Sequence, residues 1–229
     1  MSSSYIKTAH TKNLTERKEF LLYGNINIFI KDPLPEDVGM TSVIQDIEDT
    51  IPRRLLHEVE TIIIGQFSEL NDRGVRAVYM DGGIYVTNEQ PSEEQLFEDI
   101  VHEIAHAVEK MYEYELYADK KIESEYLSKK KRFLDTLTAN GIKVPNRIRV
   151  GTEYSKMFDE FLYYELGYEK ATNHTIGLFL SPYSAVSISE YFATAFEHYF
   201  VQEGQSFLKQ LCPVLYSKLE YISDEAEGE

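Results

Sequence analysis

The run His102-Glu103-Ile104-Ala105-His106 limits this chain more than any other stretch, because HExxH has chemical meaning only on a helix. At about 100° per residue the two histidines fall about 40° apart on one face, so both imidazoles can reach a single zinc ion. Glu103 stands about 100° round from His102, where its carboxylate meets water rather than metal. The flanking sequence supplies such a helix. Pro91-Ser92 opens it, and Gln95, three residues after Ser92, completes a capping-box signature. Phe97, Ile100, Val101, Ile104, Val108 and Met111 form one apolar stripe, and the histidines project from the other side. A chance pair of histidines on a surface helix is the competing reading, and it leaves this division of faces without a cause.

A catalytic zinc takes three protein ligands and keeps one position open. The best source of the third is the run ISEYFATAFEHYF from Ile188, in which Glu190 projects away from Phe192, Phe196, Tyr199 and Phe200. Ser187 and Glu190 also make a capping box, so Glu190 could serve only its own helix. Glu197 and His198 are weaker candidates for the same role.

With 43% hydrophobic residues in 229, the chain can bury a core of its own, and its length suits one catalytic domain. The net charge of -16 argues against nucleic acid or an anionic membrane as partner, because phosphate binding needs clustered Lys and Arg. Cys212 is the single cysteine, which excludes an internal disulfide, and it lies among apolar residues as a core side chain. No secretory leader or transmembrane stretch is visible, so the chain as given is expected to be cytoplasmic, with leaderless export left open.

The chain is expected to open with a flexible arm over 1–19. A strand follows at 25–30, then a helical stretch over 37–58 that breaks near Pro52, and a buried strand at 59–67. Strands at 75–80 and 84–87 flank Asp81-Gly82-Gly83 as a hairpin whose glycines supply positive φ, with its edge offered to an extended substrate. A second helix is expected to end at Asn140-Gly141, with Lys129-Lys130-Lys131-Arg132 as a solvated face. A helix over about 152–166, an irregular stretch over 167–189, a helical pair to 222 and a disordered acidic tail over 223–229 complete the expectation.

HEIAH, followed by SEYFATAF and then by Leu211-Cys212-Pro213 and Tyr216, resembles the catalytic domain of the anthrax lethal factor-like zinc peptidases and, more closely, the secreted Pro-Pro endopeptidases. The resemblance covers about Leu96 to Met111 and Tyr183 to Tyr216. It implies one zinc per chain on His102, His106 and Glu190, with Glu103 as general base. It also implies that Tyr183, seven residues before the third ligand, assists at the transition state. Thr194 stands where the family carries a second glutamate. The 83 residues between His106 and Glu190 exceed the relatives' interval and suggest an inserted helical element over 117–150, a lid, a partner surface or an embellishment.

The fold expected is therefore α+β and zincin-like. A small mixed sheet and the active-site helix would form one lobe (20–115), and a mainly helical C-terminal lobe (116–222) would contribute Glu190. The function expected is a zinc-dependent endopeptidase acting on a protein or peptide substrate. The alternatives are a zinc-bearing interaction module with lapsed activity and an intracellular regulatory metallopeptidase of another zincin family.

Overall fold

The computed structural model describes residues 19–201 and 205–228. The chain is α+β and divides into two compact units, residues 1–107 and 108–229. Apart from Glu19, the expected arm lies outside the described residues.

The first unit is built on a mixed five-stranded sheet. Its strands are β1 (Glu19–Leu22), β2 (Ile26–Ile30), β3 (Thr61–Gly65), β4 (Ala77–Met80) and β5 (Gly83–Thr87), in the order β1-β2-β3-β5-β4. β2, β3 and β5 run parallel, while β1 and β4 are antiparallel edges. The four residues of β1 are too few to show an alternation, which is why the sequence reading misses it. Helix α1 (Met40–Thr50) crosses from β2 to β3, and it stops because Ile51, ahead of Pro52, is extended at φ -107° and ψ 118°. A short helix α2 (Ser68–Arg73) precedes β4, and α3 (Glu93–Met111) follows β5. The β4–β5 turn is of the two-residue kind that matches strand twist, with φ 49° at Asp81 and 83° at Gly82. Positive φ is therefore carried by Asp81 and Gly82, and Gly83 pairs within β5.

Period-two burial sets the core of this unit. Ile28, Ile62, Ile64, Ile84 and Val86 are fully buried, as are Val43 and Ile47 of α1 and Leu96, Ile100, Val101 and Ile104 of α3. Each such side chain contributes about 1.5–3 kcal/mol by leaving water. The same stripe of α3 that packs fixes which side of the helix is left for His102 and His106.

The second unit is helical. It comprises α4 (Glu113–Tyr117), α5 (Lys121–Ala139), α6 (Lys156–Glu160) continued by a π-helical stretch Phe161–Leu166, and α7 (Tyr168–Thr175). After these come a 3₁₀ turn Tyr183–Ala185, α8 (Ile188–Val201), α9 (Gln205–Leu211) and α10 (Pro213–Glu227). α5 is its axis: Ile122, Tyr126, Phe133 and Leu137 are fully buried, and Tyr126 and Phe133 join Phe158, Phe179 and Tyr191 in one aromatic cluster. The stretch 117–150 is therefore no lid laid over the unit. Its helix is the core.

The basic run departs from expectation for the same reason. Lys131 and Arg132 are exposed, but Lys129 and Lys130 are buried and held by hydrogen bonds. Lys130 Nζ donates to Tyr126 Oη (2.9 Å), to the Gly151 carbonyl (3.0 Å) and to the Val186 carbonyl (3.1 Å). Lys129 Nζ donates to the Leu211 carbonyl at the end of α9 and to Cys212 Sγ. One turn earlier, Glu125 accepts the Val214 amide of α10 at 2.9 Å and the Tyr191 hydroxyl at 2.8 Å. A carboxylate thus meets a helix N-terminus and an ammonium meets a helix C-terminus, each matched to the local dipole. Cys212 is buried as expected.

Two further expectations are corrected. The stretch read as irregular contains α7, eight residues whose Thr, Asn and His content masks a helix. The acidic end continues α10 to Glu227, because Ser223 and Ala226 lie on its buried face.

Candidate metal centre

α3 begins as its sequence demands: Ser92 Oγ accepts the Gln95 amide at 3.1 Å. Glu93 in the first turn accepts the Gly39 amide (2.7 Å) and the Ser42 hydroxyl (2.6 Å), tying the helix to the start of α1. Two turns on, His102 and His106 are half-buried, with ring centroids 5.2 Å apart and planes at 81°. Glu103, between them, is 7% exposed, and its carboxylate accepts the backbone amide of Tyr79 at 2.6 Å.

That amide belongs to the edge strand. The Thr87 amide donates to the Arg76 carbonyl at 2.8 Å, so residues 76, 78 and 80 face β5 while Ala77 and Tyr79 face away from the sheet. Glu103 therefore engages the outer edge of β4. No sequence signal announces this bond, since it depends on strand register and not on the identity of residue 79.

In the second unit, the approach to α8 is fastened from α5. Tyr126 Oη donates to the Ala185 carbonyl at 2.8 Å, and Lys130 holds the next carbonyl, Val186. Burial brings the Lys130 ammonium down to about 8. Ser187 Oγ accepts the Glu190 amide at 3.1 Å, so the serine half of the capping box is formed. The Glu190 carboxylate accepts the Tyr183 hydroxyl at 3.2 Å. Burial, and then the charge of Glu190, push the Tyr183 hydroxyl far above the ordinary tyrosine range. Thr194 donates its hydroxyl to the Glu190 carbonyl at 2.7 Å.

Among the described residues, one group of three could hold a metal ion. His102, His106 and Glu190 each offer a ligand atom, and these atoms all lie within 4.8 Å of one another. Two imidazoles and a carboxylate suit zinc, and three ligands leave a coordination position. Glu197 and His198, the weaker candidates, are not in the group. His198 is half-buried, and burial lowers its pKa. No family model, curated protein or solved structure matches the chain. The likeness to lethal factor-like peptidases rests on the residues quoted for it.

Sequence reasoning missed three groups around these side chains: the Tyr79 amide, the Tyr126–Lys130 pair and Glu109. Glu109 alone had a visible signal, lying one turn beyond His106 on the motif helix.

Proposed function

We propose that this protein is a zinc-dependent endopeptidase of zincin-like, lethal factor-like type, cleaving a peptide bond in a protein substrate. The observation that carries the reading is the gathering of His102, His106 and Glu190 ligand atoms within 4.8 Å, two of them flanking a buried glutamate on one helix. Bound there, zinc would supply Lewis acidity to water and to the scissile carbonyl. Glu103 takes the proton of the attacking water and returns it to the departing amine. The Tyr79 amide fixes one oxygen of that carboxylate, so the base has a set orientation before substrate arrives. Tyr183 leaves Glu190 to donate its hydroxyl to the oxyanion.

The substrate segment is extended and adds as a strand at the outward backbone groups of Ala77 on β4, next to the Tyr79 amide that Glu103 holds, which places its backbone beside Glu103. The net charge of -16 favours neutral or basic segments and disfavours nucleic acid and anionic membrane.

Elemental analysis and peptide-library cleavage with the purified protein test this. About one zinc per chain is expected, lost in His102→Ala, His106→Ala and Glu190→Ala. Glu103→Ala should keep the zinc and lose hydrolysis. Full zinc in Glu190→Ala, or undiminished cleavage by Glu103→Ala, would defeat the reading.

A further inference from the structure

Glu109 lies on the last turn of α3, three residues after His106, half-buried and outside the HExxH pattern. Its two carboxylate oxygens are used separately. Oε1 accepts the hydroxyl of Tyr117 from α4, and Oε2 accepts the hydroxyl of Ser189 in the first turn of α8. Ser189 is the residue immediately before Glu190. The carboxylate therefore spans from the turn that follows the second histidine to the turn that presents the third candidate ligand. Tyr117 is half-buried beside it, and its desolvation together with the Glu109 charge raises its hydroxyl far beyond the ordinary tyrosine range. The clamp thus has a permanent donor on one side and a short, rotamer-poor donor on the other.

We propose that Glu109 is a positioning residue for the metal centre, holding the first turn of α8 through Ser189 so that Glu190 meets the two histidines in ligating geometry. The proposal rests on the ligand set named above and extends it by one residue that touches no metal. A ligand carboxylate on a helix N-terminal turn has freedom to swing, and a hydrogen-bonded neighbour that removes this freedom raises affinity by pre-ordering the site. Tyr126 and Lys130 hold the carbonyls of Ala185 and Val186 in the segment that leads into that turn, and Glu109 adds a restraint on the turn itself.

The test is zinc affinity of the full chain, measured by competition with a chromophoric chelator, alongside the visible spectrum of the cobalt-substituted protein and the melting temperature of the metal-free form. Glu109→Ala and Ser189→Ala should each weaken zinc by about 10- to 100-fold and alter the cobalt bands. The double variant should be no weaker than Glu109→Ala alone, because both changes break one link. Ser189→Thr, which keeps the hydroxyl, should restore affinity and spectrum. Metal-free melting temperatures of Ser189→Ala and the parent should agree within a few degrees, which a merely structural role would not give together with weaker zinc. If Glu109→Ala does not fold, Ser189→Ala and Ser189→Thr decide the matter. Parental zinc affinity in Glu190→Ala would overturn the ligand set and this proposal with it. Loss of zinc in Glu190→Ala, with parental affinity and unchanged cobalt bands in Ser189→Ala, would overturn the proposal alone.

Discussion

The Tyr183 hydroxyl donates to Glu190, the same carboxylate that would ligate the metal, so its two roles compete for one proton. In the proposed reaction that donor turns to the oxyanion. Tyr183→Phe then removes one transition-state hydrogen bond and leaves ring packing in place. The expected outcome is a fall in kcat of roughly 10²- to 10³-fold, about 3–4 kcal/mol, with little change in KM. Steady-state kinetics on a cleaved peptide check this, and a kcat within a few-fold of the parent would remove Tyr183 from the mechanism. At this scale the sequence was legible where a group able to hold a metal is written in local spacing. His102 and His106 are four apart on one helix, and Glu190 is set off against the aromatic residues of its own helix. The Tyr79 amide was not legible, because a backbone group has no letter. Its partner is chosen by how β4 registers on β5, a pairing outside any local window.

Among the elements, α5 decides the second unit, and its polar residues were the hardest to read. Four consecutive cations look like a solvated face until the acceptors of Lys129 and Lys130 are known, and these include carbonyls at 151, 186 and 211, far along the chain. Lys130 makes a pH-dependence. Its pKa is brought down to about 8 in the folded protein against an ordinary 10.5, so between these values the unfolded chain binds more protons. Lys130 should therefore add stability as pH rises above about 8, opposed by the buried Cys212 thiol and then by the tyrosines, which give up their protons more readily in the unfolded chain. Urea midpoints across pH 7.5 to 9.5 should move in the parent's favour relative to Lys130→Met as pH rises, and parallel curves would remove Lys130 as the cause. Glu125 and Lys129 make a second test. Exchanging the two charges rescues a simple ion pair, but here each group serves a helix end of fixed polarity. Removing either costs about 3–5 kcal/mol, and the doubly exchanged variant should be no more stable than the worse single one by denaturant titration. Recovery to parental stability would show that the dipoles are not what they answer.

For the whole molecule, the α+β class and mixed sheet followed from the order of apolar runs. The short pieces did not, since β1 has four residues and α7 has eight, lengths at which periodicity carries little. The acidic end misled because composition there says tail while Ser223 and Ala226 face inward. The bond between Glu103 and the Tyr79 amide also reaches beyond chemistry. β4 is an outermost strand, with Met80 56% exposed, and outermost strands are where a neighbouring copy can pair. Glu103 occupies an outward amide of that edge. The substitution that tests the proposed base, Glu103→Ala, frees the Tyr79 amide from that carboxylate and should make the protein self-associate once roughly 0.5 M salt screens its net charge of -16. Glu103→Gln keeps an acceptor oxygen there and should stay dispersed by light scattering. Light scattering from Glu103→Ala that matches the parent in high salt would show that this carboxylate does not also keep copies of the edge apart.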